Sequence, residues 1–203
     1  MAEKSCRDCR KFGEKLFLKG ERCLSPKCGL AKRVNTPGTS GAAKAGQNRK
    51  RKKSEYGIQL QEKQKAKREY GMREKQFSLV YQKAVRMEGA TGEMMLQILE
   101  RRLDNVIYRL GWTASRRQAR QIVGHGHIKV NDQMLNIPSA IVKVKDTISV
   151  VKPEIMIQDN KIVPPTWLKV DPKKMVAEIK DLPKRDDIET PVDEQLIVEY
   201  YSR

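Results

Sequence analysis

Residues 101–111 read Arg101-Arg102-Leu103-Asp104-Asn105-Val106-Ile107-Tyr108-Arg109-Leu110-Gly111. Three residues later comes Ser115-Arg116-Arg117-Gln118-Ala119-Arg120-Gln121-Ile122-Val123-Gly124-His125-Gly126-His127-Ile128-Lys129-Val130-Asn131. The stretch patterns as two short amphipathic helices and a strand, with exposed positions that are nearly all Arg, Lys or amide. It carries seven Lys and Arg against one acid, Asp104. A compact helical surface of that kind suits a phosphate backbone.

Working outward, Leu96, Leu99, Leu103, Val106 and Leu110 recur every three or four residues. That spacing predicts a helix from Thr91 with one apolar stripe, stopped by Gly111. Ser115 starts the next helix, with Gln118 three residues on as a capping box. Ala119, Ile122 and Val123 face inward, Arg116, Arg117 and Arg120 fall on other faces, and Gly124 ends it. Residues 127–130 and 134–137 read as strands about a turn at Asn131-Asp132. Residues 141–144 and 148–150 alternate as half-buried strands do, about Lys145-Asp146. Two helices feeding a small antiparallel sheet make an α+β class.

Upstream, Phe77, Val80, Tyr81 and Ala84 predict a helix over about 73–87. Residues 54–70 predict another, with Ser54 as N-cap. Its apolar edge, Tyr56, Leu60 and Tyr70, is thin. It reads as a solvated surface helix, a helix lying on RNA, or one packed against a small neighbour. Residues 35–54 are Gly, Ala, Ser, Thr and basic, and cannot build a core. Residues 152–203, acidic and Pro-containing, read as loops and short helices wrapping the core, their acids a solvated surface.

The chain has 203 residues and a net charge of +17. Residues 1–75 hold 22 Lys and Arg against 8 acids, and residues 76–203 hold 20 against 17. Self-repulsion of that size is relieved by a polyanion, with nucleic acid the leading partner. An anionic membrane is the weaker alternative, because no stripe of large apolar residues faces the basic stretches. No stretch nears the roughly 18 apolar residues of a membrane span, and the N-terminus lacks a signal-peptide core. A cytosolic chain is expected, with its four Cys reduced.

Cys6 and Cys9 are separated by two residues, Cys23 and Cys28 by four. Two such pairs can converge as a tetrahedron on one zinc ion, an all-thiolate site can also hold an iron–sulfur cluster, and free thiols or a redox pair are the remaining alternatives. The segment is too short to bury a real core, so a metal would supply its folding free energy. Four protein ligands leave no open position for catalysis.

Nothing in the chain points to enzyme chemistry. The two His, His125 and His127, sit in a basic turn without a nucleophile or orienting acid. Neither a G-x-x-x-x-G-K loop nor a G-x-G-x-x-G fingerprint occurs. Trp112 and Trp167 read as packing residues rather than base-stacking platforms.

Arg102-Leu103-Asp104-Asn105-Val106, Ser115-Arg116 with Ala119-Arg120-Gln121, and Gly126-His127-Ile128 with Val130-Asn131 resemble a small RNA-binding module. That module occurs in one bacterial-type ribosomal protein, in some pseudouridine synthases, in tyrosyl-tRNA synthetases and in a heat-shock protein. Tyr56-Gly57, Gln59-Leu60, Glu62-Lys63-Gln64, Tyr70-Gly71, Glu74, Gln76-Phe77 and the end Leu196–Arg203 narrow the choice. They are similar to the family of bacterial-type small-subunit ribosomal protein four. The Cys pairs are similar to the form of it that retains a zinc knuckle.

The resemblance implies a four-cysteine metal knuckle and basic linker over 1–45 and a mainly helical domain over 46–90, joined by residues 191–203. It implies an inserted domain over 91–190, with the RNA module at about 101–160. It further implies early binding to the 5′ domain of small-subunit rRNA, nucleation of assembly, and a place near the mRNA entrance beside neighbouring proteins. An effect on decoding accuracy follows, and in some bacteria repression of the protein's own mRNA. No membrane and no small-molecule substrate are implied.

Within that frame, Arg102, Arg116, Arg117, Arg120, His125 and Lys129 are the expected rigid patch. Arg49, Lys50, Arg51, Lys52 and Lys53 form a flexible clamp. Tyr56, Gln59 and Lys63 touch RNA backbone, with packing the alternative for Tyr56. Replacing Arg116, Arg117 and Arg120 with Ala is expected to weaken rRNA binding without unfolding. The competing readings are an RNA-modifying enzyme, for which 152–203 is too short a catalytic domain, and a stand-alone RNA chaperone visiting ribosomes.

Overall fold

A computed structural model of the chain describes residues 5–33, 54–156, 163–171 and 174–203. The chain divides into two units. One comprises the described residues up to Met72 together with Val192–Arg203, the other Arg73–Pro191. These units part at 72/73. The helix α5 (Glu74–Val85) packs on α6 (Thr91–Glu100) and goes with the second unit. Among the described residues no helix is long and apolar enough to cross a membrane.

The first unit contains α1 (Ser5–Phe12), α2 (Glu21–Leu24), α3 (Gly29–Lys32), α4 (Glu55–Glu69) and the C-terminal α9 (Glu194–Tyr201). Ser54 caps α4 as expected, its hydroxyl accepting from the Gly57 N–H at 3.2 Å. The surface-helix reading of α4 is corrected by α9, which packs along it. Gln59 donates to Glu199 at 2.9 Å. The Lys63 ammonium stands 4.3 Å from the Tyr200 ring and 5.5 Å from that of Tyr201. Lys65 joins Glu14 at 2.7 Å and Glu62 at 3.3 Å, tying α4 to the segment after α1. Burial opposes the charge of Lys65, but the two carboxylates hold its ammonium above the ordinary lysine range.

In the second unit the predicted helix from Thr91 is two helices, α6 and α7 (Leu103–Arg109). Arg102 leaves the helical conformation and bridges to Ile141. The Leu103 N–H then donates to the Ala140 carbonyl at 2.8 Å and that of Asp104 to Pro138 at 3.1 Å. These bonds satisfy donors that a helix start leaves open. Leu96 and Leu99 before the break and Leu103, Val106 and Leu110 after it are all buried. Gly111, at φ 76°, stops α7 in the left-handed conformation.

The helix α8 (Arg116–Gly124) starts at Ser115, whose hydroxyl accepts from the Gln118 N–H at 3.3 Å. The Gln118 side chain reaches back to the Ala114 N–H at 3.0 Å, one residue beyond a standard capping box. Asn131 and Asp132, at φ 50° and 63°, make the tight hairpin between β1 (Ile128–Val130) and β2 (Gln133–Met134). Residues 141–144 form only the bridge at Ile141, not a strand. Residues 152–203, read as loops and short helices, also supply two strands.

These are β4 (Leu168–Asp171) and β5 (Val176–Ile179). With β3 (Thr147–Val150) they complete, among the described residues, an antiparallel sheet of order β2-β1-β3-β5-β4. Helices α7 and α8 and this sheet bury one α+β core, which takes in both Trp112 and Trp167.

Candidate nucleic-acid interface and cysteine cluster

Ala119, Ile122 and Val123 seat α8 in the core with Leu103, Val106 and Ile107 of α7. The remaining faces of α8 therefore carry Arg116, Arg117 and Arg120. Arg117 and, just beyond the helix, His125 are exposed, while Lys129 on β1 is half-buried. The rings of His125 and His127 meet edge-on, 6.1 Å apart.

Two buried carboxylates lie behind this surface. Asp104 accepts from Arg102 Nε at 3.1 Å and Nη2 at 2.9 Å, and from Arg120 Nε at 3.0 Å and Nη2 at 2.7 Å. Glu100 accepts from Arg109 at 2.9 Å on each oxygen and from Asn105 Nδ2 at 2.8 Å. Asn105 Oδ1 in turn accepts from Arg116 Nε at 2.8 Å, and the Arg116 guanidinium lies 4.6 Å from the Tyr108 ring centre.

The expected patch therefore divides. Arg102, 5 % exposed, is a buried ion-pair partner of Asp104 and not part of the exposed surface. Arg120 keeps 37 % of its side chain exposed while held by Asp104. Arg116 is half-buried. The Arg116, Arg117 and Arg120 triple replacement thus also strips two buried acceptors of donors, and it tests folding as well as binding. Arg117, His125 and Lys129 are the set whose removal leaves these bonds in place. Glu100, Asp104, Asn105 and Tyr108 were not among the sequence candidates. The signal for Asp104 was its standing as the lone acid among seven bases.

In the first unit Gln59 and Lys63 are 1 % and 4 % exposed. Both face α9 rather than the exposed surface. Tyr56 is exposed, and its ring lies 5.6 Å from that of Tyr200. The clamp Arg49, Lys50, Arg51, Lys52 and Lys53 lies outside the described residues.

Cys9, Cys23 and Cys28 are buried and Cys6 half-buried, all as free thiols. With Ser5, Leu18 and Lys19 they line one cavity of about 10 Å³, the scale of a single water-sized occupant. Among the described residues no three His, Cys, Asp or Glu already stand ready to hold a metal ion. The thiols line the cavity without closing on one point.

Their surroundings perturb the thiols in opposite directions. The Lys19 N–H donates to Cys23 Sγ at 3.3 Å. Burial, reinforced by the neighbouring Cys, pushes the Cys9 and Cys23 thiols up. Backbone N–H groups of Ala31 and Leu30 hold Cys28 below the usual thiol range. Gly29 leaves the space that Cys6 occupies, since a Cβ there would stand 2.8 Å from Cys6 Cβ and 3.2 Å from its sulfur.

Residues 1–100 match the family described as ribosomal protein S4/S9 N-terminal domain, and residues 101–148 match the S4 domain. The chain is similar to small ribosomal subunit protein uS4 of Syntrophomonas wolfei, at 50 % identity over 98 % of this chain and 96 % of that protein. It is similar to the uS4 protein of Acetivibrio thermocellus, at 51 % over 98 % and 97 %. Protein uS4A of Symbiobacterium thermophilum is 50 % identical over 98 % and 96 %. These are structural proteins, not enzymes. The seam between the two matched families falls at Arg101, at the break that separates α6 from α7. The chain belongs to the uS4 family of small-subunit ribosomal proteins.

Proposed function

We propose that this chain is a structural constituent of the small ribosomal subunit in the cytoplasm, and that it binds the 5′ domain of the rRNA early and nucleates assembly. In the finished subunit it lies near the mRNA entrance, beside neighbouring proteins and mRNA, and contributes to decoding accuracy. The observation that carries the reading is the α8 face, a row of basic side chains backed by buried Asp104 and Glu100. Its cations displace counterions from RNA, so affinity falls steeply with salt. Shape and 2′-hydroxyl contacts dominate, because the A-form major groove excludes side chains.

The test is binding of the full chain to an isolated 5′-domain rRNA, with excess unrelated rRNA, at low and near-physiological salt. Tight binding that survives both supports a primary assembly protein. Binding that collapses under both returns the visiting-chaperone reading. Replacing Arg117, His125 and Lys129 together with Ala lowers affinity about 10- to 100-fold and flattens the salt dependence by about two counterions. Unchanged affinity removes this face from the interface.

Cys6, Cys9, Cys23 and Cys28 would hold one zinc ion, which supplies folding free energy and no reactive position. An iron–sulfur cluster is the alternative occupant, and metal with sulfide determination separates the two. Gly29→Ala forces Cys6 outward and weakens zinc binding about 10- to 100-fold in chelator competition, as loss of a supporting group around ligands does. Equal affinity would show that Cys6 is not a ligand.

A further inference from the structure

Arg116 is gripped from one face of α7. Asn105 and Tyr108, three residues apart, lie on the same side of that helix. We propose that Asn105 is a positioning residue for RNA binding, its buried amide setting the Arg116 guanidinium on the α8 face. The proposal rests on the reading that this face meets RNA.

The amide has one stable orientation. Its Nδ2 donates to the Glu100 carbonyl at 3.1 Å and to Glu100 Oε2 at 2.8 Å. A flip would turn Oδ1 onto two acceptors. The carbonyl oxygen therefore faces α8, where it takes the Arg116 Nε at 2.8 Å. Glu100 is kept an acceptor by Arg109, which donates at 2.9 Å to each of its oxygens. Asn105 is 2 % exposed, so water does not compete for these bonds. The Tyr108 ring supports the guanidinium plane at 4.6 Å. A planar fork ordered before RNA arrives loses less freedom on binding than a mobile one.

The test is a double-mutant cycle on affinity of the full chain for the isolated 5′-domain rRNA, with urea unfolding measured alongside. Asn105→Ala weakens binding about fivefold to tenfold in the parent chain but less than about twofold when Arg116 is already Ala. An equal loss in both backgrounds, or no loss in the parent, overturns the proposal. Where Asn105→Ala unfolds the second unit, Arg116→Lys decides. It keeps the charge and the Asn105–Glu100 bonds but lacks the fork and its Nε. A loss of about fivefold supports the proposal, and parental affinity overturns it. If the Arg117, His125 and Lys129 replacement also binds as the parent does, the RNA reading of the face fails with it. If that replacement binds weakly, only the role of Asn105 is rejected.

Discussion

Asp104→Ala is expected to destabilise the second unit by about 3–5 kcal/mol, the range for breaking a buried ion pair by removing one partner. Asp104 is 4 % exposed and accepts four bonds from two guanidinium groups. Its loss leaves Arg102 charged, buried and without that partner. Arg120, more than a third exposed, rehydrates and adds little. Urea unfolding followed by circular dichroism reads the effect as a lower midpoint with an unchanged slope. Replacing the pair together, Arg102→Met with Asp104→Leu, recovers most of the loss, because apolar groups of similar volume tolerate such a site. If the double replacement is as unstable as Asp104→Ala, the cost lies in packing and not in the stranded charge.

If Cys6, Cys9, Cys23 and Cys28 hold the proposed zinc, chelation is expected to unfold residues 5–33 while leaving the second unit intact. The buried cluster of this segment is only Cys9, Leu16 and Leu18, with Phe12 against it. Burying one leucine contributes about 1.5–3 kcal/mol, whereas ordering each backbone residue costs about 1–2 kcal/mol. So small an apolar cluster falls well short of that cost, and a bound structural metal contributes folding free energy at sites of this kind. Because Cys9 and Cys23 are held above the usual thiol range, loading releases protons and the metal is lost more readily as pH falls. Hydrogen exchange with and without chelator is the measurement. Protection over 5–33 should vanish, and α4, tied to this segment through Lys65–Glu14, should loosen next. Unchanged protection would contradict the structural role of the metal.

The module around 101–131 was legible because its apolar spacing, its cap at Ser115 and its turn at Asn131-Asp132 are local signals, each agreeing with the tertiary fold. What the sequence hid was non-local. The strands β4 and β5 are as long as β3, but β5 joins it by a distant pairing, Thr147 opposite Glu178, that no local turn signal announces. Arg102 pairs with Asp104 only two residues on, and the non-local element at this position is its bridge to Ile141. The buried side of α4 is polar because its neighbour α9 supplies rings and a carboxylate to match, and that neighbour lies at the far end of the chain. The burial of Gln59 and Lys63 was hidden for that reason, while Arg117 and His125 are exposed.

The Gln59–Glu199 bond joins residues 140 positions apart, and this sets an order of events during synthesis. The second unit closes on contacts held wholly between Arg73 and Pro191. The first unit cannot cover α4 until α9 has left the ribosome that makes it. Nascent domains ordinarily fold from the N-terminus onward; here the later unit matures first. Limited proteolysis of a chain ended at Pro191 should find α4 cleavable and the second unit resistant. Helix α4 is thus sheltered only after a segment 140 positions later in the chain has been made.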